Sequence, residues 1–396
     1  MTNTLRTKRS RTTTRGTIAC LALVGIATTA LAANELVVIA YNDLGMHCMD
    51  EDFSELIILP PFNTIRAQVI ERHGSPQILE DAENLTLRFS LPANTRSADK
   101  TNFWSQVEAA FGVALPPDIG LTGNGLSGEM ERGPGGGAKY WEVVGIPVTP
   151  FEDNGRINPY PLAQIDVEHA DGRTGQTVTV VPVSTELSCN LCHSATDGSA
   201  NLDVLRDHDA LHGTDLVNQR PVLCASCHAD NALGAPGQPG LPALSHAIHG
   251  AHADRMHLVD GIVDNACYAC HPGIRTSCHR GRHQVNGVDC IACHGDMADV
   301  GNPTRNPWVD LPRCGDCHTR PGFEFEQPGV LYKDSVGHGG VMCVSCHGSP
   351  HVILPSGAEA DNQQSLLLQG KTGILDTCTT CHTSMPSDPF PHRRDD

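Results

Sequence analysis

The sequence predicts an α+β chain in two successive parts: an N-terminal β-sandwich-like domain over residues 34–187, then a domain of short helices and irregular loops over residues 188–385. Three observations carry this. Before residue 188, apolar and polar residues alternate in short runs bounded by Gly, Pro and Asn, as half-buried strands require. Beyond it long periodic segments disappear, and Cys, His, Pro and Gly recur. Aromatic residues make up only 4% of the 396-residue sequence, too few to pack two ordinary cores, so the second part needs apolar bulk from another source.

Residues 1–33 read as a signal peptide. Arg6, Lys8, Arg9, Arg11 and Arg15 precede an apolar run from Ile18 to Leu31 that ends in small residues, with cleavage expected near Ala32 or Ala33. The run is too short to span a bilayer, and no other segment is expected to cross a membrane. A lipid anchor at Cys20 is the alternative, but that cysteine stands at the start of the apolar run rather than after it. Sec-type export to the periplasm, the cell surface or the extracellular space follows. Cleavage removes five basic residues and no acidic one, making the formal net charge of −18 more negative still. Such acidity disfavours nucleic acid as a partner.

In the first part the candidate strands are LVVIAY (36–41), TIRAQVIE (64–71), LTLRFSL (85–91), YWEVVGIPV (140–148), AQIDVEHA (163–170) and TVTVVPV (177–183), with one helix over 102–111. GPGGGAKY (133–140) lacks the Gly-Lys-Ser/Thr ending of a phosphate loop and reads as a flexible hairpin loop. Residues 386–396 read as a flexible tail.

One pattern, C-x-x-C-H, occurs seven times in the second part. CNLCH supplies Cys189, Cys192 and His193; CASCH supplies Cys224, Cys227 and His228; CYACH supplies Cys267, Cys270 and His271. CIACH follows with Cys290, Cys293 and His294, then CGDCH with Cys314, Cys317 and His318. CVSCH contributes Cys343, Cys346 and His347, and CTTCH contributes Cys378, Cys381 and His382. This is the attachment motif of c-type haem: two thiols bond the porphyrin vinyl groups, and the next residue places its imidazole under the iron. Zinc ribbons also use paired Cys-x-x-Cys but do not require His after every second cysteine. The expectation is seven covalently bound haem c groups with the seven motif histidines as proximal ligands. Motif starts lie 35, 43, 23, 24, 29 and 35 residues apart, so each haem has little protein to itself and the porphyrins form the core.

Twenty-one histidines leave fourteen outside the motifs. The distal candidates cluster: His208 and His212 in HDALHG, His246, His249 and His252 in SHAIHGAH, then His338 and His351. In the first two segments the spacing puts imidazoles on one side of a short helix. His257, His279, His283 and His392 stand in reserve, and Met256, Met297 and Met342 are further options. His47, His73 and His169 are read as structural, with His47 able to reach across the interface. Histidine excess points to bis-histidine, low-potential haems.

Two cysteines, Cys48 and Cys278, remain once the motifs and Cys20 are set aside. In an oxidising compartment they either pair as a disulfide or stay as two separate buried thiols. RTSCH (275–279) resembles an attachment motif with Arg275 in the first cysteine's place, which makes a single-thioether haem on Cys278 the competing use of that thiol.

The seven motifs resemble those of the multihaem c-type cytochromes of bacterial respiration, among them extracellular ones that pass electrons to or from minerals. The resemblance covers residues 188–385. The opening YNDLGMHCMDEDFSELIILPPFN (41–63) resembles the start of a group of these cytochromes with a β-rich N-terminal part, and implies no reaction. Electron transfer along packed haems, between redox partner proteins or extracellular acceptors, is the leading expectation. The alternatives are an oxidoreductase with one open haem acting on a small N or S oxyanion, and an oligomeric or filament subunit in which histidines cross between protomers. None of the seven motifs departs from C-x-x-C-H, whereas such enzymes often alter one.

Overall fold

Strand-forming residues in the first half build two antiparallel sheets. The computed structural model describes residues 36–80, 83–134, 139–194, 198–323, 325–353 and 356–392. The expected signal peptide with Cys20, the centre of the glycine-rich loop and the last residues of the tail lie outside them.

One sheet has five strands. Leu36–Asn42, Asn63–Glu71, Trp141–Ile146 and Glu131–Arg132 run in that order, with Gln77–Ile78 also paired to Asn63–Glu71. The other runs Thr174–Val180, Leu162–His169, Leu85–Ser90 and Ser127–Glu129. Inward residues of both, including Val38, Ile65, Val69, Leu87, Phe89, Ile165 and Val167, join one apolar core. The predicted strands thus form, with one shift: TVTVVPV pairs over Thr174–Val180, and Val183–Ser184 leaves that sheet to pair in parallel with His47–Cys48. Pro182 lacks the N–H a continuous ladder needs, and its carbonyl instead accepts from His47 N at 3.1 Å.

The predicted helix is α1, Phe103–Phe111. Its buried face, Phe103 and Val107, enters the core beside Phe53, and Gly112 ends it at φ +68°, a left-handed stop that glycine adopts without strain. Truncating Phe103 to Ala costs about 3–5 kcal/mol by the usual cavity penalty.

Leu36–Asn42 is buried on both faces, although an edge strand of a sheet with one solvated face shows alternation. The second half covers its outer side. Leu368 packs against Val37, Ile39 and Ile70, Met342 and Val344 against Tyr41, and Gln364 Oε1 accepts from Ala40 N at 2.7 Å. The same contact is reinforced by Arg66, which reaches Glu142 at 3.2 Å and Asp334 at 2.7 Å. Val222–Leu223 pairs with Leu56–Ile57 in a further short parallel ladder, and residues from Ala32 onward form one compact unit.

The second half is made of helices α2 (Ala200–His212), α3 (Leu244–His252), α4 (Arg282–Val285), α5 (Cys290–His294), α6 (Met297–Val300), α7 (Cys314–Cys317), α8 (Cys343–His347) and α9 (Gln363–Gln369), with single 3-10 turns between them. Ser199 caps α2, accepting from Leu202 N at 3.1 Å, and Gly213 closes it. Gly250 of α3 lies against Gly301, where the absence of Cβ atoms lets α3 and α6 touch backbone to backbone. No helix among the described residues is long and apolar enough to cross a membrane.

Candidate functional site

Every C-x-x-C-H motif folds as one helical turn, four on 3-10 turns (Cys189–Leu191, Cys224–Ser226, Ala266–Ala269, Cys378–Thr380) and three on α5, α7 and α8. In five of them the backbone N–H of the histidine donates to the carbonyl of the first cysteine: His193 at 2.9 Å, His228 at 3.0 Å, His271 at 2.9 Å, His318 at 2.8 Å and His382 at 2.9 Å. The turn is what makes the spacing useful, because residues i, i+3 and i+4 share one face, so both thiols and the imidazole project together. All fourteen motif thiols are free.

Each motif imidazole then faces a second imidazole at nearly constant separation. The ring centroids are 6.2 Å apart for His193 and His252, 6.4 Å for His228 and His208, and 6.1 Å for His271 and His249. They are 6.1 Å for His294 and His351, 6.0 Å for His318 and His283, 5.7 Å for His347 and His392, and 6.0 Å for His382 and His338. A metal–imidazole bond of about 2 Å, plus about 1 Å from nitrogen to ring centre, puts two rings on opposite sides of one metal about 6 Å apart. Directly packed rings sit closer, as His208 and His212 do at 4.8 Å.

Hydrogen bonding orients these rings. Nδ1–H donates to a backbone carbonyl in His228 (Pro242, 2.9 Å), His249 (Ser245, 2.7 Å), His252 (Ile248, 2.7 Å) and His382 (Gly74, 3.3 Å). With the proton on Nδ1, the lone pair is on Nε2 and is free to bind a metal. His351 stands at φ +69°, an uncommon conformation for a residue with a Cβ, and one that the surrounding structure has to hold. Burial pushes His271 down to about 4, helped by His249 and His351, and burial with His351 does the same to His294. Both are neutral imidazoles at neutral pH. A cleft of about 430 Å³ lies at His318, lined by Gly315, Arg320, Phe323 and Phe325 among others. Cys224 and Cys346 are pushed up to about 12 by burial, so both thiols are uncharged.

The facing pairs coincide with the expected distal set at five of seven positions. His208, His249, His252, His338 and His351 each face a motif histidine, but His212 and His246 do not. His246 uses Nε2 to bond the Arg305 carbonyl at 2.8 Å, and His212 lies beside His208 on α2, exposed. Their places fall to the reserves His283, on α4, and His392. His283 stands four residues after His279 and His392 stands apart from other histidines; each meets its partner through tertiary packing.

His279 of the RTSCH segment bonds Val288 O through Nε2 at 2.9 Å. Met342 is fully buried in an apolar cluster, and with seven imidazole pairs formed no methionine is needed. His47 pairs with Asp43 at 3.0 Å and His169 with Asp171 at 2.8 Å. His73 acts through its backbone, holding the seventh motif by bonds to Cys381 and Thr383. Cys48 and Cys278 are two free thiols, and burial, with Cys278 nearby, pushes the Cys48 thiol well above its ordinary range.

Among the described residues, the side chains gathered closely enough to share a metal ion are His193, Asp203 and Asp207, so the Cys-x-x-Cys pairs do not assemble into tetrahedral thiolate sites. The second half also carries most of the large exposed apolar side chains, such as Leu241, Ile262, Ile274, Val285, Ile291 and Val309, while the extensive core lies in the first half. These side chains fit a large apolar prosthetic group better than water. Comparisons with protein families, curated proteins and solved structures give no match to this chain.

Proposed function

We propose that this chain is an exported c-type cytochrome with seven covalent haems that passes electrons between redox partner proteins or extracellular acceptors, in the periplasm or at the cell surface. One observation carries the reading: all seven motif histidines face a second histidine at the separation of two axial ligands on one metal. Two thiols and an imidazole on one face of a turn are what covalent attachment needs. When bound, haem supplies reversible one-electron chemistry at each site. The chain's own residues present two imidazoles per site, and backbone carbonyls hold the Nδ1 proton of His228, His249, His252 and His382.

Supplying both axial ligands leaves no position for a substrate, which weighs against an oxyanion-converting enzyme. Every second imidazole comes from the same chain, which weighs against a filament built on crossed histidines. In this reading the two sheets are a β-sandwich-like domain, and the remainder is a haem-packed domain of short helices and loops.

The test is intact mass spectrometry of protein exported from a host that attaches c-type haem. The expected species is the polypeptide from about Asn34 plus seven haems that survive denaturation. A haem-free chain, or six or eight haems, overturns the proposal.

A further inference from the structure

Resting on the haem reading, we infer that the seven paired-imidazole sites form one unbranched row whose spatial order is second, first, third, fourth, fifth, sixth, seventh motif. The order comes from elements that serve two sites at once.

Helix α2 joins the second and first sites: Asp203 and Asp207 each lie 3.6 Å from His193 Nδ1, and the next residue, His208, faces His228. Helix α3 joins the first and third. Its His252 faces His193 and its His249, three residues earlier on the same side, faces His271. The third and fourth motifs are tied through their caps. Asn265 accepts from Cys267 N, Asp289 accepts from Ala292 N, and the two capping side chains bond each other at 3.1 Å. The Cys267 and Cys290 thiols also contact one another.

The fifth site takes its second imidazole from α4, which runs directly into the fourth motif, with Val288 N donating to His283 O at 2.9 Å just before the Asp289 cap. A file of aromatic rings links the fifth and sixth. Phe325 stacks on His318 at 5.8 Å, Phe323 lies 4.8 Å from Phe325, and His392 stacks on Phe323 at 4.4 Å while facing His347. The seventh site draws His338 from the turn five residues ahead of the sixth motif, and Leu375 N, just before the seventh, donates to Cys346 O at 3.2 Å. Each of these contacts joins consecutive members of the stated order, while His351, four residues beyond the sixth motif histidine, brings that segment to the fourth site as well and makes the fourth-to-sixth distance the critical one for a row without branches.

The sites at the two ends are His208 with His228 and His338 with His382. The order is nearly that of the sequence. Only the first two motifs are exchanged, because α2 follows the first motif and carries the chain outward before α3 brings it back.

Anomalous diffraction at the iron edge, from crystals of the haem-loaded full chain, tests this directly. Expected are seven peaks in a single file, each assigned to its motif by the adjoining density, with one nearest neighbour at the His228 and His382 ends and two at every other site. A branch, or the first motif at an end, overturns the row while leaving seven haems in place. A map with no iron peaks at the motifs overturns the haem reading instead.

Discussion

His392 faces His347 with ring centroids 5.7 Å apart, bringing a residue from the chain's last segment onto the sixth motif. His392 also stacks on Phe323, so the tail residue is held by an aromatic cluster that includes Phe390. A segment that reads as a flexible tail thereby supplies one of seven paired imidazoles.

In the proposed haem reading, the pairing assigns His283 and His392 as second ligands in place of His212 and His246. His283→Ala and His392→Ala are each expected to turn one of seven low-spin haems high-spin, with all seven still attached, because attachment depends on the motif cysteines. His212→Ala and His246→Ala are expected to leave the spectrum low-spin. Electron paramagnetic resonance of the oxidised proteins checks this, and a high-spin signal from His246→Ala would reverse the assignment.

Cys48 and Cys278 lie on segments that hydrogen bonds hold together. Ser184, the cross-strand partner of Cys48, bonds Thr276 at 2.9 Å, and Gly45 O accepts from Arg280 at 2.8 Å, so segments 45–48 and 276–280 are pinned together. On export, thiol–disulfide exchange with a protein disulfide is expected to oxidise the pair, the two thiols losing two protons and two electrons. The bond is worth roughly 2–4 kcal/mol in the chain-entropy model. Alkylation of the exported, denatured, unreduced protein should modify neither cysteine; two modified cysteines would refute the bond.

Arg280 lies between the halves with almost no exposure. It grips Asp361 through two bonds of 2.7 and 2.9 Å and lies 4.8 Å over the Tyr160 ring. Arg280→Ala strands a buried carboxylate and is expected to lose about 3–5 kcal/mol. Arg280→Lys keeps the charge but not the fork, so it should recover only part. Urea unfolding followed by circular dichroism measures both; an alanine variant within about 1 kcal/mol of the parent would show the bridge to be dispensable.

Asp50 sets a pH dependence. It is 3% exposed, its Oδ2 accepts from Ile58 N at 2.8 Å and Leu59 N at 2.9 Å, and burial raises it to about 7 despite those two bonds. Below about pH 4 both folded and unfolded chains hold the proton. Between about 4 and 7 only the unfolded chain ionises, so this residue's contribution falls as pH rises and stays low above that window. Asp50→Asn should match the parent at pH 4 and exceed it at pH 8, on the order of 1 kcal/mol or more. Equal differences in melting temperature at both pH values would remove Asp50 as the cause.

Local chemistry made much of this legible in sequence. Alternation placed most strands within a residue or two, as at Leu85–Ser90, because a half-buried pleat imposes its period on the chain; the strand expected over 177–183 lies three residues earlier. The seven motifs and the seven first imidazoles were equally legible, since one helical turn decides which side chains share a face. The double burial of Leu36–Asn42 was not, because it depends on α9 and α8 arriving from more than 300 residues away.

Sequence by itself determined the strands, the motif turns and one imidazole of every pair, all of which are settled by neighbours within a few residues. Tertiary structure alone decided the partners. Clustering put five of the seven second imidazoles in view, but His246 is turned onto the Arg305 carbonyl, and His283 and His392 become partners only once the chain has folded. The physical reason is that the second imidazole reaches its partner through space, and no spacing rule in a chain of short turns and loops encodes that approach.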